Sequence, residues 1–182
     1  DGESRDYHPA WSPDGANIAY CAEDQDRVRL MVAPVKDGRR AGPARPVTGP
    51  DLFAVSPAWS RDGRTLAFCG GKDNAGEVWT VPADGSSPPR RVARDLDVRF
   101  VRWDHSTGDI LASAVRGSRS LELYRVSPDD GSVRPFQPPI VFGGENAEGL
   151  FHISADGRYL VSTRMSGRSG SIWALEATNG TF

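Results

Sequence analysis

Four short runs of mainly apolar residues punctuate this chain at regular intervals: NIAYCA from Asn17, TLAFCG from Thr65, DILASA from Asp109 and YLVSTR from Tyr159. A tight-turn signal precedes each of them. The turns read Pro13-Asp14-Gly15, Arg61-Asp62-Gly63, Ser106-Thr107-Gly108 and Ala155-Asp156-Gly157. Glycine supplies a positive φ and aspartate caps its own turn, so each tetrad predicts a hairpin. Upstream lies a short strand that ends in Trp-Ser or its equivalent. Downstream, a variable loop leads to a third strand, VRLMVAPV, EVWTVPA, LELYRVSP or SIWALEA. A second turn follows at Asp37-Gly38, Asp84-Gly85, Asp130-Gly131 and Asn179-Gly180, then a weaker fourth strand such as RPVTG, RRVAR or VRPFQ. In the fourth copy Phe182 falls where that strand would begin.

These pieces form one repeated unit. Residues 9–21, PAWSPDGANIAYC, and 57–69, PAWSRDGRTLAFC, share the frame P-A-W-S-x-D-G-x-x-[IL]-A-[YF]-C. A third copy, from Trp103, has one extra turn residue, and in a fourth, from Phe151, Ile153 replaces the tryptophan. The steps from Trp11 through Trp59 and Trp103 to Ile153 are 48, 44 and 50 residues. Four antiparallel strands per unit of this size is the signature of a propeller blade. A β-sandwich also has short strands and frequent turns, but it does not require one four-strand grammar four times over. The expected fold is all-β: a single propeller domain over 1–182, with blades at about 8–49, 54–94, 98–137 and 149–182.

The frame AWSPDG-x-x-[IL]-A, with an aromatic third strand and an Asp-Gly turn, resembles the TolB-like, or WD-like, propeller repeat. The resemblance covers nearly the whole chain. It is strongest in copies one and two and weakest in copy three, where the Asp-Gly turn is lost. The segment GSIWALEATNG is also similar to a quinoprotein-type propeller repeat. What the resemblance implies is a fold, and beyond it a bacterial binding, scaffold or sensor module, periplasmic or otherwise outside the cytoplasm. Similar propellers also cap peptidases of the prolyl oligopeptidase and tricorn kinds, which supplies the alternative of an accessory or gating propeller. Fold does not fix function.

Equivalent positions have structural explanations. Ile18, Leu66, Ile110 and Leu160 share one strand-two position, and Ala19, Ala67, Leu111 and Val161 the next. Successive side chains on a strand face opposite ways, so strand two is expected to be buried on both faces, as stacked blades require. Trp79 and Trp173 align on strand three, with Tyr124 and Met31 as counterparts. Cys21 and Cys69 align with Ser113 and Thr163. Adjacent blades sit about 10 Å apart and a disulfide needs Cα atoms within about 7 Å, so the expectation is two free, buried thiols.

Composition narrows the function. A formal charge of −2 gives no general basic field for nucleic acid or anionic lipid, and no apolar run reaches the length of a membrane span. The polar opening DGESRDYHPA is neither a signal peptide nor an anchor. His8, His105 and His152 show no metal-ligand spacing. GRSGS around Ser169 lacks the second glycine of a nucleophile elbow, and no phosphate loop, dinucleotide fingerprint or calcium loop occurs. Asn179-Gly180-Thr181 matches a glycosylation acceptor but fills a turn slot. The pairs Asp24 with Asp26 and Asp129 with Asp130 lie in loops or turns, where solvation is the default. No catalytic residue, metal or cofactor is assigned.

Candidate contact residues lie on the loops between strands two and three, which share one end of the blades. Glu23, Asp24 and Asp26 make the first loop acidic. Arg116 and Arg119, then Arg164 and Arg168, make the last two basic. Scatter among solvated loops is the bland account; a polarised face for a protein or peptide is the functional one. The link 137–149 carries Ile140, Val141 and Phe142, either as an exposed contact patch or as a plug between blades three and four. For closure, ESRDY could serve as the missing strand beside strand three of blade four. A compact four-bladed ring, half of an eight-bladed ring completed by a second copy, and part of a larger propeller are the three architectures; the latter two are favoured, because an open stack exposes apolar faces. A sugar- or lactone-processing propeller would need a metal or acid–base cluster where the repeat places Pro, Ala and Trp.

Overall fold

The computed structural model describes residues 5–24, 27–72, 76–117, 120–142, 149–166 and 169–176, without the side chains of 163–166, 169 and 170. Each repeat forms one antiparallel sheet. Blade one consists of Arg5–Trp11, Asn17–Asp24 and Arg27–Lys36, edged by the short pieces Arg39–Arg40 and Arg45–Pro46. Blade two is Phe53–Trp59, Thr65–Gly71, Glu77–Pro82 and Arg90–Ala93. Blade three is Asp97–Trp103, Ile110–Val115, Leu121–Val126 and Val133–Pro135, with Val141–Phe142 also on its third strand. Blade four is Phe151–Ile153, Tyr159–Ser166 and Ser169–Glu176. The chain is an all-β, four-bladed β-propeller arrangement in which the first strands converge on a common axis.

The hairpins form as their residues dictate. Gly15, Gly63, Gly108 and Gly157 all have φ between 69° and 82°. Ser12, Ser60 and Ser154 each donate a hydroxyl to the aspartate two residues on, at 2.6–2.7 Å. The same aspartates accept the backbone N–H two residues further along. Blade three keeps this clasp with its partners exchanged: Ser106 donates back to Asp104 at 2.6 Å. Its extra residue shows in the turn bond, which runs Gly108 N–H to Asp104 C=O, against Gly15 N–H to Ser12 C=O in blade one.

Register confirms the strand-three alignment. Met31, Trp79, Tyr124 and Trp173 pair with Tyr20, Phe68, Ala112 and Ser162, which are equivalent in strand two. Alternation then divides the core into three layers. Ala19, Cys21 and Leu30 of blade one meet Leu66, Phe68 and Val81 of blade two. Ala67, Cys69 and Val78 meet Ile110, Ala112 and Tyr124 of blade three. Leu111, Leu123 and Phe136 meet Phe151 and Leu160 of blade four. Strand two is therefore buried on both faces in blades two and three. In blades one and four it is buried on one face: Ile18 is half-buried and Val161 exposed.

Both cysteines are free and buried. Burial pushes each thiol up to about 12. Cys69 Sγ donates to the Val98 carbonyl of the next blade at 3.1 Å, so these thiols act as small interior groups between sheets.

Two expectations need correction. Arg5, Asp6 and Tyr7 do not lie beside strand three of blade four; they pair with Glu23, Ala22 and Cys21 as the start of blade one. A bulge between Tyr7 and Ala10 lets that strand continue through His8-Pro9. The 137–149 link is not an exposed patch over its described part. Of its three apolar residues, Phe142 is buried with its ring centroid 6.2 Å from that of Phe151, Ile140 packs beside it and Val141 is exposed, so the apolar part of the segment plugs the space between blades three and four. An aromatic ring recovers more free energy filling that gap than facing water.

Candidate axial binding site

The four first strands end around one cavity of about 330 Å³. Its walls are the ends of these strands, Pro-Ala-Trp in blades one and two, Arg102-Trp103 in blade three and His152-Ile153 in blade four. Backbone geometry aims them there. His8 and Ser56 hold equivalent bulge positions before Pro9 and Pro57, at φ 52° and 56°. A non-glycine residue in that region costs about 1 kcal/mol or more. The strain is held by pairing on both sides of each bulge.

Interblade bonds fix the walls. Trp59 Nε1 donates to the Ala10 carbonyl of blade one at 2.9 Å. His105 Nε2 sits 2.9 Å from the Trp59 carbonyl, tying blade three to blade two. Beneath the rim, buried Asp104 accepts from Ser106 and from Arg125 Nη1, the latter at 2.7 Å. Burial by itself would raise the pKa of that carboxyl, but the Ser106 and Arg125 hydrogen bonds outweigh it and hold the pKa below the ordinary carboxylate range.

The polar side chains of the lining are Arg102, His105, His152 and Ser154, and among the described residues no carboxylate lines the cavity. Arg102 is largely withdrawn from water, with its guanidinium carbon 4.0 Å from the Phe100 ring centroid and Nη1 on the Val101 carbonyl at 3.0 Å. It pairs with no carboxylate among the described residues. Burial lowers its pKa to about 10, so it stays charged near neutrality. Desolvation and then the Arg102 charge lower the pKa of His152, which is neutral there. An apolar mouth with one partly desolvated cation can hold an anionic group against aromatic walls.

The chain resembles solved propellers. A TolB from Acinetobacter baumannii superposes with a TM-score of 0.71 at 21% identity, over 95% of this chain and 41% of that one. The fold is TolB-like. A putative TolB from Agrobacterium tumefaciens gives 0.67 at 18% identity, over 98% and 60% of the two chains. A puromycin-hydrolysing peptidase from Mycobacterium tuberculosis gives 0.69 at 20% identity, over 98% and 28%. The chain thus spans less than two thirds of the length of each of these proteins. No family model and no curated protein matches it.

On the TolB-like frame Glu23, Asp24 and Arg116, the described members of the loop residues singled out in the sequence, lie at the end opposite the axial mouth, because strand two runs from one end to the other. Asp24 is exposed and sits 3.9 Å from Arg29, and Arg27 shares its surface hollow, so the first loop is a mixed-charge patch. Glu23 is half-buried at the end of strand two, and Arg116 is exposed. Asp26, Arg119, Arg168 and Asn179-Gly180-Thr181 lie outside the described residues, as does the Arg164 side chain. Sequence reasoning noted Pro, Ala and Trp at these strand ends only as residues that supply no metal or acid–base cluster, and it did not single out Arg102. Its signal is a charged residue directly before Trp103, where copies one and two have Ala10 and Ala58.

Proposed function

We propose that this chain is a non-catalytic propeller module that binds a protein or peptide segment, and that the axial mouth takes a carboxylate carried on that segment. Arg102 carries this reading: a partly desolvated guanidinium, without a carboxylate partner among the described residues, in the lining of an aromatic mouth. Among the described residues the lining supplies recognition groups and no acid–base carboxylate pair of the kind sugar chemistry uses. Likeness to TolB propellers supports a binding role.

The test is fluorescence anisotropy with short apolar-acidic peptides, each as the free C-terminal carboxylate and as the amide. Arg102→Met should weaken carboxylate binding about tenfold or more, the cost of one charge-assisted hydrogen bond, and leave amide binding unchanged. Equal binding of both peptide forms to the wild type sinks the proposal. An accessory propeller of a peptidase is the second reading, favoured by the likeness to the puromycin-hydrolysing peptidase. A hydrolase domain in the same reading frame would select it.

A further inference from the structure

We propose that His152 is the proton switch of the axial mouth: protonated, it joins Arg102 as a second cation and tightens the hold on a carboxylate. This switch rests on the carboxylate-binding reading of that mouth and adds its regulation. Three basic side chains reach the same cavity, each in a different setting. Arg102 stays charged near neutrality and is stacked on the Phe100 ring. His105 is committed to the fold. A carbonyl only accepts, so the Nε2 that lies 2.9 Å from the Trp59 carbonyl carries its proton and donates there. His152 is exposed at the mouth and makes no hydrogen bond among the described residues. Its ring is therefore open both to protons and to a ligand.

The surroundings of His152 leave Arg102 as the charge that governs it. Blades one and two contribute only proline, alanine and tryptophan to the lining. Within blade four, His152 pairs with Val161. The two carboxylates on the adjoining turns are engaged elsewhere: Asp104 is buried against Ser106 and Arg125, and Asp156 accepts from Ser154. In the free protein, desolvation and then the Arg102 charge disfavour a second cation beside the first. A carboxylate in the cavity reverses that balance, because it offsets the Arg102 charge and gives the imidazolium an anion to pair with. Binding and protonation are then linked, and linkage is reciprocal: the factor by which the ligand raises proton affinity is the factor by which the proton raises ligand affinity. Histidine is the side chain whose ordinary pKa lets mild acidification act in this way.

The experiment titrates the carboxylate and amide peptides against the full chain by fluorescence anisotropy from about pH 8 to about pH 5.5, a range in which a C-terminal carboxylate stays ionised. The ratio of carboxylate to amide affinity should rise at least about fivefold on acidification, and His152→Gln should flatten that rise. In proton NMR, the His152 ring signal, assigned by its absence in the same variant, should titrate at higher pH when the carboxylate peptide is saturating. It should also titrate at higher pH in ligand-free Arg102→Met, since removing a like charge favours the imidazolium. Carboxylate-selective binding with a flat pH profile overturns the switch and leaves the axial reading standing. A profile that survives in His152→Gln, or a His152 titration unmoved in Arg102→Met, overturns it as well. Equal binding of both peptide forms at every pH rejects the axial reading itself, and the switch with it.

Discussion

Trp59 and Trp11 occupy the same place in adjacent copies of the repeat, yet Trp59 is 5% exposed and Trp11 57%. Val78 and Ile172 make a similar pair on strand three: the first is fully buried and the second is the most exposed large apolar residue of the described chain. Neither residue type nor local pattern separates the members of each pair. A neighbouring blade does. Trp59 has blade one to accept its indole N–H and to cover its ring. Apolar patterning thus specifies which face a residue takes, while burial depends on whether another sheet arrives there.

The largest break in this comparison should come from Phe68, fully buried between blades one and two. Phe68→Ala is expected to cost about 3–5 kcal/mol, and Ile172→Ala less than about 0.5 kcal/mol; urea denaturation measures both. Similar losses would show that the two faces are covered alike.

Asp104 sharpens the contrast next, since blade three alone keeps its clasp carboxylate buried. Asp104→Asn should destabilise by about 1–3 kcal/mol by weakening the Arg125 pair, against a smaller loss for exposed Asp156→Asn. With its folded pKa below the unfolded value, Asp104 contributes stability that is present above the unfolded carboxylate range and is lost as pH falls through the folded pKa. The wild type should therefore lose more stability than Asp104→Asn between neutral and strongly acidic pH in thermal melts.

The smallest effect tests the tryptophans directly. Trp59→Phe removes the bond to the Ala10 carbonyl and part of a buried ring, with an expected cost of about 1–2 kcal/mol. Trp11→Phe should be nearly neutral. A Trp11 variant as costly as its partner would mean that its face is covered in the isolated chain.

Much of this was legible residue by residue. The Asp-Gly turns, the strand-three register and the free thiols follow from local chemistry and repeat spacing, both carried by neighbours in the chain. Blade three shows the limit of motif reading: WDHSTG looks like a lost turn, but the hydroxyl–carboxylate clasp survives because Asp104 and Ser106 exchange partners. The axial site was not legible, because Arg102 and His152 lie 50 residues apart and meet only when the first strands converge. Phe142 was ambiguous for the same reason, since an apolar loop residue is a patch or a plug according to the gap beside it.

By itself, the sequence determined the blade: its strands, its turns and the two apolar faces that alternation creates. Only the tertiary structure decided which faces are covered, where the cationic group at the axis sits and which end of the blades forms an aromatic mouth. The reason is range. Turn conformation and side-chain alternation act over a few residues, whereas burial and desolvation depend on sheets brought together from positions about 50 residues away.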